Sequence, residues 1–207
     1  MSDIHCFVFD LGNVLVRWNP RHAFAPLFEG DRRDLDHFLN HVCNMDWHNR
    51  LDAGEPFEQA IRDLQKHHPD YADMIAAYDS HWDDMFAGSI EETVEILKEL
   101  HRKQYALYAL SNFPAEKFPA FREKYGFLSL FREVIISGAE GIIKPDPTLY
   151  QRLLERTGQA PGNTLFIDDR KDNVETAQAL GFHAHLFQGA AGLRDRLTRL
   201  GLIEGKL

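Results

Sequence analysis

Three short apolar runs in this chain each stop at a polar group. Cys6, Phe7, Val8 and Phe9 end at Asp10; Ala109 and Leu110 end at Ser111 and Asn112; Leu165, Phe166 and Ile167 end at Asp168 and Asp169. Runs this short, rich in aromatic and branched residues, read as strands buried on both faces. An acid closing such a strand must find water, a cation or a substrate. In open α/β sheets ligands gather at the carboxyl ends of strands, so Asp10 is the first candidate for chemistry.

The rest of the chain sets those runs in an alternating pattern. Residues 4–9 read as the first strand, and from Pro20 to Phe86 the signals are helical, with breaks at Gly30, Gly54 and Pro69. Phe57, Ala60, Ile61 and Leu64 mark one apolar helical face; Ala72, Ile75, Ala76, Asp79 and Trp82 mark a second. Ser89 with Glu92 resembles a capping box opening a helix through His101. There follow strand-like 105–110, a helix near 114–125, strand-like 134–136, a helix over 147–157 ending at Gly158, strand-like 164–167, a helix over 173–180 stopping at Gly181, and a last strand over 183–187. The expected fold is therefore α/β: a Rossmann-like parallel sheet with helices on both faces, plus an inserted small all-helical cap. Residues 1–16 and 88–207 would form the core and 17–87 the cap. Removing the insert leaves Asp10 and Ser111 about one βαβ unit apart, roughly 30 residues.

Composition narrows the function. Of 207 residues 44% are hydrophobic, enough for a real core. No stretch approaches the roughly 18 uncharged apolar residues of a membrane span, and the first apolar run lacks a basic leader, which argues against a secretory signal. Two cysteines form no disulfide framework and suit a reducing cytosol, so the expected location is cytoplasmic. A net charge of -9 repels nucleic-acid backbones and anionic membranes, leaving a small molecule as the expected partner.

In a parallel sheet Asp10, Ser111, Asn112, Lys144, Asp168 and Asp169 come to one edge. Two unit charges 4 Å apart interact by about 4 kcal/mol at an effective dielectric near 20. Clustered carboxylates would repel one another, and a phosphate would add to that, beyond what one lysine offsets. A divalent cation can offset it, and oxygen-only ligands point to Mg2+.

At these residues the chain resembles the haloacid dehalogenase superfamily. The four matching motifs are Asp10-Leu11-Gly12-Asn13-Val14, Leu110-Ser111-Asn112, Lys144-Pro145-Asp146-Pro147, and Phe166-Ile167-Asp168-Asp169 with Asn173. The insert matches the family's type-1 cap position, and Leu-Gly-Asn in the first motif is most similar to the glucose-1-phosphate phosphatase branch. The resemblance implies a Mg-dependent phosphatase acting on a small phosphorylated metabolite, such as a sugar phosphate, through an aspartyl-phosphate. Asp10 would be the nucleophile. Asp10, the Gly12 carbonyl and Asp169 would hold the metal, and Asp168 would orient Lys144 or a metal-bound water. Ser111, the Asn112 amide and Lys144 would bind the phosphoryl oxygens.

Taken singly, Ser111-Asn112 or Asp168-Asp169 reads equally as a helix cap and Lys144 as a solvated lysine; their joint occurrence with Asp10 favours a site. Most phosphatases of the superfamily carry a second aspartate where this chain has Gly12, a group contributing about 10²–10⁴-fold in rate. Asp46, His48 and Arg50, otherwise solvent-facing, are candidates to replace it. Trp47 and Trp82 read as buried cap residues before they read as a substrate wall, and His67-His68 as a solvated helix end. Two other functions stay open: a metal-independent 2-haloacid dehalogenase, and a weakly active or pseudo-enzymatic phosphate-binding module.

Overall fold

A computed structural model of the chain describes residues 3–204. Strand β1 (Cys6–Phe9) leads into β2 (Val16–Trp18), which pairs antiparallel with β3 (Phe86–Ser89). Between β2 and β3 lie α1 (Pro20–Leu27), α2 (Arg32–His37), α3 (Met45–Asp52), α4 (Phe57–His67) and α5 (Ala72–Ser80). The chain then alternates: α6 (Glu91–Arg102), β4 (Ala106–Ser111), α7 (Phe118–Lys124), β5 (Glu133–Ile136), α8 (Ser137–Glu140), α9 (Pro147–Thr157), β6 (Thr164–Asp168), α10 (Lys171–Ala179), β7 (His183–Leu186) and α11 (Ala190–Arg199).

Five of these strands form one parallel sheet in the order β5-β4-β1-β6-β7. The side-chain period of two splits β1 between two layers. Cys6 and Val8 join Leu110, Phe166 and the α9 residues Leu149, Tyr150 and Leu153. Phe7 and Phe9 face the opposite way, into a cluster with Val94, Leu97 and Leu100 of α6 and Leu193 and Leu197 of α11. The same cluster runs on through Phe24, Phe38, Phe57 and Tyr78, so the helical segment shares its interior with the sheet. Truncating Phe9 to Ala would cost about 3–5 kcal/mol, because that layer is close-packed.

Register positions the polar strand ends. Phe9 stands opposite Ala109 on one side and Ile167 on the other, so the next residue of each strand, Asp10, Leu110 and Asp168, comes level. The Asp10 N–H donates to the Ile167 carbonyl at 2.9 Å. Asn13 then takes φ 54°, a region Asn tolerates because its short side chain bonds locally. Its Oδ1 accepts from the Trp18 N–H at 3.0 Å.

Several local expectations need correction. Ser89 does not cap α6: it pairs with Val16 in the ribbon, and the helix starts beyond Ile90, whose N–H donates to the Leu15 carbonyl. Segment 17–87 is helical except at its ends, where residues 17–18 and 86–87 belong to the ribbon. On α5 the buried face is Ile75 and Tyr78, continued by Trp82; Ala76 and Asp79 point outward. Packing of α5 against α4 decides which of its faces is buried. Helix α11 has no counterpart among the expected elements.

Candidate active site

Lys144 is the centre of the polar edge. It is 2% exposed, reached by the chain between α8 and α9, and its Nζ sits 2.7 Å from Asp168 Oδ2 and 3.0 Å from Asp10 Oδ1. Nζ also donates to the Leu110 carbonyl at 2.8 Å. Burial alone would lower the ammonium's pKa, but the two carboxylates outweigh it and hold the group above its usual value. Asn112 fixes the lysine backbone from both sides: its Nδ2 donates to the Lys144 carbonyl at 3.0 Å and its Oδ1 accepts from the Lys144 N–H at 2.8 Å. The sequence assigned the Asn112 amide to phosphoryl oxygens; in the structure the side-chain amide clamps Lys144.

The two buried acids are not equivalent. Asp168, fully buried, accepts from Lys144 Nζ, from the Arg170 N–H at 2.9 Å, and from Asn173 Nδ2 at 2.9 and 3.1 Å. Asp10 Oδ1, by contrast, has only the Lys144 ion pair at 3.0 Å. Burial, opposed by Lys144 and reinforced by Asp168, pushes the Asp10 carboxyl up to about 6. Asp169, half-buried, is pushed up to about 7 by burial and then by repulsion from Asp10 and Asp168. Carboxylate oxygens of Asp10, Asp168 and Asp169 lie within 4.8 Å of one another. Such crowding of raised acids, with one oxygen held by the lysine ion pair alone, fits a hard dication. Asp168 already has its acceptors filled, which leaves Asp10 and Asp169 with capacity to spare.

Gly12 lies on the cavity wall, and a Cβ built there would meet nothing within 4 Å. Ser111 is buried beside Asp10, and its hydroxyl helps draw the Asp10 carboxyl down. The structure thus brings Asp10, Gly12, Ser111, Asn112, Lys144 and Asp169 to one cleft of about 120 Å³, with Asp168 behind it.

The opposite wall comes from the helical segment. Of Asp46, His48 and Arg50, only His48 reaches the cleft; Asp46 is exposed, and Arg50 is exposed and paired with Glu55. Burial lowers the His48 pKa to about 4, so the imidazole is neutral near pH 7. Its Nδ1 bonds the Tyr78 hydroxyl at 2.8 Å and its Nε2 lies 3.4 Å from Asp52 Oδ2. Asp52, four residues on along α3, also lines the cleft, and burial pushes it up to about 7 despite Lys144 and Arg170. Sequence reasoning missed Asp52; the i,i+4 spacing from His48 was its signal. Both Trp47 and Trp82 are buried, and Trp82 in addition forms part of the wall. His67 closes α4 with Nδ1 2.8 Å from the Asp63 carbonyl. No helix among the described residues is long and apolar enough to cross a membrane.

Comparison with known proteins adds to the geometry. The family model described as haloacid dehalogenase-like hydrolase matches residues 4–181. A sesquiterpene phosphatase, astK, of Aspergillus oryzae is 27% identical over 184 residues, spanning 84% of this chain and 85% of the relative. A Bacteroides thetaiotaomicron enzyme of the same family, solved with magnesium and inorganic phosphate, superposes with TM-score 0.71 at 19% identity, covering 90% of this chain and 95% of that one. An L-2-haloacid dehalogenase from Xanthobacter autotrophicus superposes with TM-score 0.61 at 19% identity, covering 97% and 84%. At these identities the two solved structures share the fold alone.

Proposed function

The chain belongs to the haloacid dehalogenase-like hydrolases, and from that premise we propose that it is a magnesium-dependent phosphatase for a small phosphorylated metabolite. The observation that carries this is Asp10: a buried carboxylate beside the buried Lys144, with its oxygens crowded within 4.8 Å of those of Asp168 and Asp169. A dehalogenase has no use for Asp169, which would repel a haloacid carboxylate. The family's magnesium–phosphate complex and the phosphatase name of the astK relative support the same choice.

Asp10, the Gly12 carbonyl and Asp169 would hold the metal, which when bound neutralises charge on the phosphoryl oxygens and the carboxylates around them. Asp10 attacks phosphorus, the P–O bond to the alcohol breaks with the departing oxygen taking a proton from water, and an aspartyl-phosphate forms. Water then attacks that phosphorus, releasing phosphate and restoring Asp10. Lys144 and Ser111 bind phosphoryl oxygens, and Asp168 holds Lys144 in place. Segment 17–87 acts as a type-1 cap over the cleft. The first motif's likeness to the glucose-1-phosphate phosphatase branch makes a sugar phosphate the favoured substrate. A second reading, the phosphate ester of a hydrocarbon alcohol, is favoured by the astK relative and by the aromatic residues Trp18, Trp82 and Phe86 on the wall.

Phosphate release from sugar phosphates, phosphoglycolate, nucleotides and a prenyl phosphate, with and without magnesium, tests the assignment. The expected result is magnesium-dependent turnover lost in Asp10→Asn. Chloride release from a 2-haloacid in EDTA would overturn it.

A further inference from the structure

We propose that Asp52 and Trp82 form a subsite for a hydroxyl group on the leaving-group side of the substrate. It rests on the phosphatase reading for the direction in which the ester enters: phosphate toward Asp10, alcohol toward the helical segment.

Seven buried side-chain polar atoms among the described residues have no hydrogen-bond partner, and four of them, on Asp10, Asn173, Asp52 and Trp82, belong to residues lining this one cleft. Asp10 and Asn173 stand at the sheet edge. Asp52 Oδ1 and Trp82 Nε1 stand on the opposite wall, on residues 4% and 3% exposed. Buried polar atoms nearly always find a partner, and each left alone costs about 1–3 kcal/mol. The two orphans are also complementary. Indole Nε1 can only donate, and an ionised carboxylate oxygen can only accept. A hydroxyl satisfies both at once, accepting from the indole and donating to the carboxylate.

His48 keeps the two side chains together. Its ring stacks on Trp82 with centroids 5.8 Å apart and planes 10° from parallel, while its Nε2 faces Asp52 Oδ2. Trp82 is further braced edge-on by Phe57 and Phe113. The orphan atoms therefore belong to a braced wall that also carries His48, Asn49 and the aromatic residues Trp18 and Phe86, which suits a ring carrying hydroxyls on one edge and C–H bonds on its face. A hydrocarbon ester would fill the space and leave both atoms unpaired. The structure thus assigns the cleft to phosphate monoesters of polyols or sugars.

Calorimetric titration of the full-length Asp10→Asn protein with magnesium tests this without turnover. The probes are glucose 1-phosphate, glucose 6-phosphate and glycerol 3-phosphate against cyclohexyl phosphate and farnesyl phosphate. At least one hydroxylated ester should bind about tenfold or more tighter than both hydrocarbon esters. Adding Asp52→Leu or Trp82→Phe should bring that ratio within about threefold, while Asp52→Asn, which keeps an acceptor, should retain part of it. Equal or tighter binding of either hydrocarbon ester, or an equal weakening of all esters by both variants, overturns the subsite. Should a variant not fold, a crystal structure with the tightest ester decides: a ligand hydroxyl within about 3.2 Å of both atoms upholds it, and hydrocarbon there ends it. Absence of magnesium-dependent phosphate release from every ester, with the binding preference intact, would instead remove the phosphatase reading and leave the subsite standing.

Discussion

The Ser137 hydroxyl donates to the carbonyl of Asp52, 85 residues earlier in the chain, at 2.5 Å, and accepts from the Phe113 N–H at 2.9 Å. Next to it Gly138 leaves no room for a side chain: a Cβ there would lie 2.5 Å from the Ala115 nitrogen. On the other side of the seam a Cβ on Gly54 would lie 2.6 Å from the Gly138 carbonyl oxygen. One hydroxyl and two glycines thus set how closely α3 sits on the sheet edge. Ser137→Ala would strand a buried N–H and a buried carbonyl. We expect a loss of about 1–3 kcal/mol in chemical denaturation, with KM for the preferred ester rising more than kcat falls.

Lys144→Met removes the cation from between two buried carboxylates. The orphaned charges, rather than the lost contacts, dominate the outcome, at about 3–5 kcal/mol. For a domain of this size that is a fall in melting temperature of about 6–20 °C in EDTA. A calorimetric scan showing a smaller change would mean that Asp10 and Asp168 do not both depend on the lysine.

Stability without metal should decline as pH rises. Asp10, Asp52 and Asp169 titrate near 6, 7 and 7 in the folded protein against 3.8 for a free side chain, so the native state binds their protons more tightly than the unfolded chain does. Their contribution is greatest below about pH 4 and is lost as pH climbs through 6 to 7. His48, lowered to about 4, works the opposite way between 4 and 6.5 and offsets only part of this. Melting temperature in EDTA is therefore expected to fall between pH 5 and pH 8. Magnesium should raise it more at pH 8 than at pH 5, because a cation favours the ionised acids.

Gly12→Asp should be tolerated and should add activity. A Cβ at this position meets no neighbour within 4 Å, so the fold accepts the side chain with little change in melting temperature. A carboxyl here faces the cleft and can pass a proton to the departing alcohol. Turnover of alkyl phosphates is expected to rise by about 10²-fold, at the lower end of general acid catalysis. Hydrolysis of p-nitrophenyl phosphate, whose leaving group departs without a proton, should change far less.

The sheet and its polar edge were legible because β1, β4 and β6 each announce themselves locally: a buried run, then an acid or a hydroxyl. The ribbon was not. Val16–Trp18 alternates but is only three residues long, and Phe86–Ser89 contains Gly88, so neither run is long enough to stand out as a strand, and their pairing depends on chain returning after five helices. Helix α11 had a readable signal in Leu193 and Leu197, both buried, but polar residues around them weakened it. Asn112 and Asp52 illustrate another limit. Which partner an amide takes, and whether an acid on an amphipathic helix is buried, are settled by the loop or helix packed opposite; the spacing from His48 puts Asp52 on the same helix face but does not say that the face is covered.

Val16 and Ser89 face each other in the ribbon, so the polypeptide enters and leaves the five-helix excursion at adjacent points. Asp10, Lys144, Asp168 and Asp169 lie outside that excursion, whereas Asp52 and Trp82 lie within it. On the proposed function, chemistry and choice of alcohol are therefore encoded in separable stretches of gene. A lineage can rewrite one contiguous insert and acquire a new metabolite while inheriting its reaction untouched.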